Sequence, residues 1–151
     1  MLARIITLIF ILHFVIGCGI IPSTSSFNTP VASVQTISIH DAWVRNSPIG
    51  DNSAAYMTIT NSGEEDTLVT VTGDFATIFE LHTASKNNGM TDMHPAEGGV
   101  PIPAQRTQML KPGGYHVMIM GLSKNLIKGQ TVQLTLTFAH AGAVIVPVEI
   151  R

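Results

Sequence analysis

Cysteine is almost missing from this chain, because Cys18 is the only cysteine among 151 residues. A single cysteine excludes an internal disulfide, a zinc site built from several thiolates and a CxxC redox pair. Any soft-metal chemistry in the folded part of the chain must therefore use thioether and imidazole groups. Seven methionines and six histidines supply both kinds of group.

Charged and aromatic residues are also scarce, at 12% and 6% of the sequence, and the net charge is only −2. No basic run is present, and no basic residues alternate with aromatic ones, which argues against a nucleic-acid surface. A hydrophobic content of 45% is too high for a disordered chain. The length suits one ordinary domain, and we expect a monomer.

Long hydrophobic runs are confined to residues 5–16, directly after the basic start of the chain. This run is too short for a permanent membrane span and predicts a signal peptide over residues 1–17. Its end, Gly17-Cys18, resembles a bacterial lipobox, so we expect Cys18 to be lipidated and to anchor the protein to a membrane outside the cytoplasm. The alternative is an ordinary signal sequence followed by a buried cysteine.

Residues 18–35 are rich in Ser, Thr, Pro and Asn and lack a helix or strand period. Such a composition predicts a flexible linker between the anchor and a folded domain over residues 36–151.

The folded domain is predicted to be all-β, as a β-sandwich or barrel in a single domain. Short segments with alternating or β-branched residues lie between turn signals, at residues 37–44, 54–61, 67–72, 78–82, 115–120, 131–138 and 144–150. The acidic cluster at residues 64–66 lies between two of these segments and is expected to be a solvated turn.

Histidine and methionine form the pattern that carries chemistry. Side chains alternate along a strand, so His116, Met118 and Met120 are expected on one face of the segment 115–120. His82 ends an earlier segment, and Met93 follows after ten intervening residues. Those residues include Lys86, Asn87, Asn88 and Gly89, which suit a hairpin turn that folds Met93 back towards His82 on a flexible loop.

Imidazole and thioether together favour Cu(I) over Mg(II), Ca(II) or Zn(II). All these ligands are neutral, which suits exchangeable binding in a carrier. Not every such residue is expected to bind metal: Met57 and Met109 are interpreted as core fillers, and His40 and His140 as histidines satisfied by hydrogen bonds.

Several segments resemble the PCu(A)C family of extracytoplasmic copper chaperones: DAWVR, AYM, ELH, KPGGYHVM and LTLTF, at residues 41–45, 55–57, 80–82, 111–118 and 134–138. The family's metal motif is a His, ten residues, a Met, a little over twenty residues, and then His-x-Met. The matching positions are His82, Met93, His116 and Met118. The gap of 22 residues between Met93 and His116 is one longer than usual.

The resemblance implies a cupredoxin-like fold and delivery of Cu(I) to the binuclear copper site of cytochrome c oxidase. The expected partners are the copper-containing oxidase subunit and a Sco-like thiol protein. Met120, Met90 and His94 rank below the four motif residues as accessory ligands. The sequence given has no His/Met-rich carboxyl tail, which makes a second, tail-borne copper site unexpected.

The residue inventory also bears on functions other than copper delivery, which are electron transfer, catalysis, copper storage or resistance, and a purely structural role. A blue-copper electron carrier is excluded because it needs a cysteine thiolate in the folded domain. An enzyme is disfavoured because no tuned acid or base is evident beside the candidate ligands. Copper storage or resistance, and a structural β-sandwich whose His and Met are incidental, stay open.

Overall fold

The computed structural model describes residues 30–87 and 90–151, so the predicted signal peptide, Cys18 and most of the predicted linker lie outside the described residues. The described residues form eleven β-strands, and no helix among them is long and apolar enough to cross a membrane. The strands are β1 (Ala32–Val34), β2 (Ile37–Val44), β3 (Ser53–Asn61), β4 (Asp66–Gly73), β5 (Ala76–Asn87), β6 (Met90–Pro95), β7 (Val100–Ile102), β8 (Arg106–Leu110), β9 (His116–Leu122), β10 (Thr131–Phe138) and β11 (Gly142–Ile150).

The strands form one hydrogen-bonded sheet in the order β6-β5-β9-β3-β2-β11-β10-β4-β7, with β1 added to β2 and β8 added to β3. The only parallel pairing in this described part of the chain joins β11 to β2, where Glu149 lies opposite Trp43 and Ile150 opposite Val44. All the other neighbours along the path are antiparallel, which confirms the predicted all-β class.

Alternation along the strands builds the core. Inward-facing residues from both halves of the sheet path are buried in a single cluster, which includes Ile39, Ile59, Ile119, Leu134 and Val146. Burial of each such side chain contributes about 1.5–3 kcal/mol. The outward-facing residues of the same strands are then free to carry polar groups, and they form the candidate site described below.

The predicted segments agree with the observed strands at β2 and β10, and the structure extends four of the others. The segment 115–120 is shifted, since β9 begins at His116 and ends at Leu122. Strands β1, β6, β7 and β8 were not predicted. The linker prediction is wrong for residues 32–34, which form β1 and pair with β2 through Ala32 opposite Ile39. The reason is packing, because Ala32 and Val34 are partly buried against the core.

Asp66 corrects the expectation of a solvated acidic turn, since it is buried at the start of β4, whereas Glu64 and Glu65 are exposed as predicted. Burial would raise the pKa of Asp66, but its hydrogen bonds outweigh this effect and hold the pKa below the usual value. Its carboxylate accepts backbone N–H groups from Thr67 (2.7 Å), Ala141 (2.9 Å) and His140 (3.0 Å), and His140 Nδ1 lies 3.3 Å away.

The four residues interpreted as structural have mixed outcomes. His140 meets Asp66 and Met57 is buried, as predicted. Met109 is exposed instead, because β8 turns it outwards beside Thr58. The prediction for His40 fails at one ring nitrogen, because Nδ1 is buried with no hydrogen-bond partner among the described residues.

Candidate metal centre

Two histidines face each other across neighbouring strands. His82 on β5 is the direct antiparallel partner of His116 on β9, and the ring centroids are 5.8 Å apart. Residues paired across two strands share a face of the sheet. Leu81, which precedes His82, and Val117, which follows His116, are buried in the core, so both imidazoles lie on the opposite, outer face. They are nevertheless shielded: His116 is 4% exposed and the His82 side chain 15%.

Met118 lies two residues beyond His116 on β9, opposite Glu80 of β5 and Ala54 of β3. Val117 and Ile119 are fully buried on the other face, which confirms the predicted alternation. The thioether of Met118 is therefore on the same outer face as both imidazoles, and it is half-buried.

Met93 reaches the same face from the other side of β5. It is paired with Ala84 on β5, and Pro95, two residues further on, is paired with His82. The predicted return of Met93 towards His82 is confirmed, but the expectation of a flexible loop is wrong, because Met93 lies on β6. Among the described residues this strand pairs with β5 alone, and Met93 is 58% exposed.

The three accessory candidates are placed differently. Met120 shares the outer face with Met118 and lies opposite Ile78. His94 is paired with Thr83 and alternates with Met93, so it points to the opposite face of the hairpin. Met90 begins β6 opposite Asn87, and its side chain is outside what the structure describes.

A turn fixes the orientation of His116. His116 Nδ1 lies 3.0 Å from the Gly114 carbonyl oxygen, which can only accept a hydrogen bond, so Nδ1 is the donor. In the neutral ring the lone pair is then on Nε2. The Lys111–Gly114 turn that presents this carbonyl is closed by a hydrogen bond from Gly114 N to Lys111 O (3.0 Å). Gly113 takes a φ of 77°, which favours glycine.

Sequence reasoning missed three residues beside these histidines. Glu80 Oε2 lies 3.0 Å from His82 Nε2, and the Glu-x-His spacing on one strand would have indicated this contact. Tyr56 lies 6.4 Å from His116, and Trp43 lies 4.5 Å from Tyr56, between ring centroids. Tyr56 thus lies beside His116, and Trp43 packs on Tyr56 through cross-strand pairing, for which the sequence carries no local signal.

The four motif residues place two imidazoles and two thioethers on this face, with Met120 further along β9 and the Glu80 carboxylate beside His82. No group of three or more His, Cys, Asp or Glu residues suited to a metal is found in the part of the chain that the structure describes. The arrangement therefore fits a soft, low-valent ion better than a hard one, since thioether is a soft and neutral ligand.

Comparison with known families and sequences gives two matches. Residues 37–150 match the LpqE-like family, whose description names a lipoprotein. A protein of Leifsonia xyli subsp. xyli that is also named as a lipoprotein, Lxx21020, is 32% identical over 152 residues, which cover 99% of this chain and 90% of that protein.

Solved structures give the same fold. The apo PCuAC domain from PmoF1 is 27% identical, with a TM-score of 0.66 over 79% of this chain and 96% of that domain. Cu(I)-bound DR1885 from Deinococcus radiodurans is 31% identical, with a TM-score of 0.57 over 78% of each chain. The copper-bound PCuAC domain from PmoF2, at 24% identity and a TM-score of 0.65 over 79% of this chain and 95% of that domain, shares the fold. The predicted cupredoxin-like fold and the PCu(A)C resemblance are confirmed.

Proposed function

Because this chain belongs to the LpqE-like family of PCu(A)C-type domains, we propose that it is an extracytoplasmic metallochaperone for Cu(I). In this proposal one Cu(I) is bound by His82, Met93, His116 and Met118. Copper is the cargo of the protein, which acts as a carrier and not as an enzyme.

One observation carries the proposal: His82 and His116 are direct partners across β5 and β9, and Met118 and Met93 adjoin them on the same outer face. These four residues come from three adjacent strands, although 22 residues separate Met93 from His116 in the sequence. Neutral imidazole and thioether donors match the preference of Cu(I). Thioethers also form no disulfides, so they remain usable in an oxidising compartment.

The relatives support copper as the metal and a membrane-anchored location. DR1885 was solved with Cu(I) and the PmoF2 domain with copper. The family and the Leifsonia protein are both named as lipoproteins, which agrees with a lipid on Cys18 at the end of a signal peptide of residues 1–17. The anchor would keep the domain at the outer side of a membrane, on a tether formed by the residues that precede β1.

Delivery is proposed from the position of the site. The four donors lie on an outer face, and Met93 is the most exposed of the proposed ligands, so an incoming protein can reach the metal without unfolding the core. The proposed recipient is the binuclear copper site of cytochrome c oxidase, with a Sco-like thiol protein as a co-worker.

Competition for Cu(I) with a chromophoric chelator tests the binding proposal. We expect the chain to bind one Cu(I). Met118→Leu and His116→Asn should each weaken the Cu(I) affinity by more than the roughly 10–100-fold that is typical when an outer-sphere partner is lost. The matched controls are Met109→Leu and His140→Asn, which change the same residue types on exposed positions outside the site. Equal affinities for all four variants would refute the ligand assignment.

Delivery needs its own measurement. The Cu(I)-loaded chain is mixed with the copper domain of the oxidase subunit, its binuclear site empty, and the transferred copper is quantified after separation. Transfer is expected to proceed from the wild-type chain. Tight binding without transfer would favour the storage or resistance function, and no binding at all would leave a structural β-sandwich.

A further inference from the structure

Glu80 makes a contact that the proposed copper ligands do not require. Its Oε2 lies 3.0 Å from Nε2 of His82, on the same face of β5 and two residues earlier in the strand. The Glu80 side chain is 47% exposed whereas that of His82 is 15% exposed, so the carboxylate stands at the water-facing rim of the more shielded imidazole.

This contact determines which nitrogen of His82 is available. A carboxylate only accepts hydrogen bonds, so the shared proton is on Nε2 of His82. In the neutral ring the lone pair is then on Nδ1. His116 has the opposite arrangement, because its Nδ1 donates to the Gly114 carbonyl oxygen and its lone pair is on Nε2.

We propose that Glu80 is a positioning residue, which holds His82 so that Nδ1 binds Cu(I) while His116 binds it through Nε2. The inference rests on the proposed copper function and adds the identity of the ligating atoms. Glu80 itself stays outside the set of ligands.

The strand geometry supports this division of roles. His82 and His116 are antiparallel partners, and each is held by the residue two positions before it, Glu80 through its side chain and Gly114 through its backbone. The Gly114 carbonyl also accepts the backbone N–H of Ala84 at 3.2 Å. The Glu80 carboxylate and the Gly114 carbonyl thus lie at opposite ends of the histidine pair, the first beside Met118 and the second beside Ala84. Both imidazole rings are therefore oriented before copper binds.

Glu80 also places a negative charge next to a site whose four proposed ligands are neutral. Two effects of Glu80, the accepted hydrogen bond and the charge, can therefore be separated by substitution. In Glu80→Gln the amide oxygen can still accept from Nε2–H, but the charge is gone. In Glu80→Ala both are gone, and outer-sphere partners of this kind typically contribute about 10–100-fold in metal affinity.

Nuclear magnetic resonance on the full chain tests the proposal, because Cu(I) has a filled d shell and is diamagnetic. Long-range proton–nitrogen correlations identify the protonated nitrogen of each histidine before and after addition of Cu(I). We expect His82 to keep its proton on Nε2 and to shift at Nδ1, and His116 to do the reverse. Glu80→Gln should keep this pattern. Glu80→Ala should lose the preference for Nε2–H and bind Cu(I) about tenfold more weakly.

Glu65→Ala is the matched control, since it removes one exposed carboxylate from the turn before β4 and should change neither readout. A Cu(I)-loaded chain in which His82 is bound through Nε2 would overturn the proposal, because copper would then have displaced Glu80. An unchanged tautomer and affinity in Glu80→Ala would overturn it as well. If the wild-type chain binds no Cu(I), the proposed function fails first, which the same titration reveals.

Discussion

The two strands on either side of β5 contribute to the site in unequal ways. On one side, β9 is hydrogen-bonded to both β5 and β3, and its His116 is buried and held by the Gly114 carbonyl. On the other side, β6 lies at the edge of the sheet in the described part of the chain, where it pairs with β5 alone, and its Met93 is largely exposed. The site therefore has one half fixed within the sheet and one half at its margin.

This difference indicates how a carrier can combine binding with release. Groups on an edge strand have fewer partners to break before they move, and local opening starts where buried apolar contacts are few. We expect the β9 half to set the affinity for Cu(I) and the β6 half to set the rate of its exchange. Ligands of the same type can therefore have different roles when their strands differ.

The largest expected effect separates the two methionines. Met118→Leu should lower the Cu(I) affinity by more than about 100-fold, which exceeds the effect expected from losing an outer-sphere partner. Met93→Leu should cost about tenfold in affinity, equivalent to about 1.4 kcal/mol. Both swaps conserve volume and should leave the fold intact. Affinities from chelator competition and release rates from stopped-flow absorbance measure the pair.

Release should be accelerated in Met93→Leu, since one ligand at the margin is already gone. If the two variants lose equal affinity and release Cu(I) at equal rates, the proposed division between β9 and β6 is wrong.

A smaller effect, on stability alone, is expected at Asp66, which lies on β4 and not on the strands of the copper site. Asp66→Asn turns one acceptor for backbone N–H groups into a donor and should lower the free energy of unfolding by about 1–3 kcal/mol at neutral pH. Copper affinity should stay at the wild-type value. Urea unfolding of the two proteins, with and without Cu(I), measures both quantities.

The pH dependence of this variant follows from the lowered pKa of Asp66. A carboxylate with a folded pKa below its unfolded value, about 3.9, stabilises the fold fully above that value. The stabilisation is lost as the pH falls through the folded pKa. The gap between wild type and Asp66→Asn should therefore narrow as the pH is lowered from about 5 towards 2. A gap that widens in acid would contradict the assignment.

Local patterns were sufficient to predict part of the molecule. Alternation predicted β2 and β10 with the observed bounds, and it correctly predicted His116 and Met118 on one face of β9. These features depend on residues one or two positions apart, which the sequence displays directly. The return of Met93 towards His82 was also predicted, from the turn-forming residues in the sequence between them, and the pairing of β6 with β5 confirms it.

Features that depend on distant pairing were not predictable in this way. Two of the backbone N–H groups that hydrogen-bond to the Asp66 carboxylate lie 74 and 75 residues further along the chain. Strand β6 forms by hydrogen bonding to the edge of β5. The sequence around Met93 does not show this pairing, and by itself it predicts a loop. Met109 was misplaced because pairing of β8 with β3 decides which face it takes.

The smallest expected effect concerns Met120, which shares the outer face with Met118 but lies further from the histidine pair along β9. Met120→Leu should change Cu(I) affinity by no more than about twofold, within the ~0.5 kcal/mol usual for surface substitutions. Chelator competition measures the change. A loss comparable to that of Met118→Leu would make Met120 a ligand and extend the β9 half of the site.

X-ray absorption at the copper edge of the Cu(I)-loaded chain shows whether two imidazoles and two thioethers bind the metal. We expect two sulfur and two nitrogen neighbours for the wild type and for Met109→Leu. We expect one sulfur neighbour fewer in both Met118→Leu and Met93→Leu. A first shell that contains only nitrogen and oxygen, or a sulfur signal unchanged in both variants, would contradict this ligand assignment.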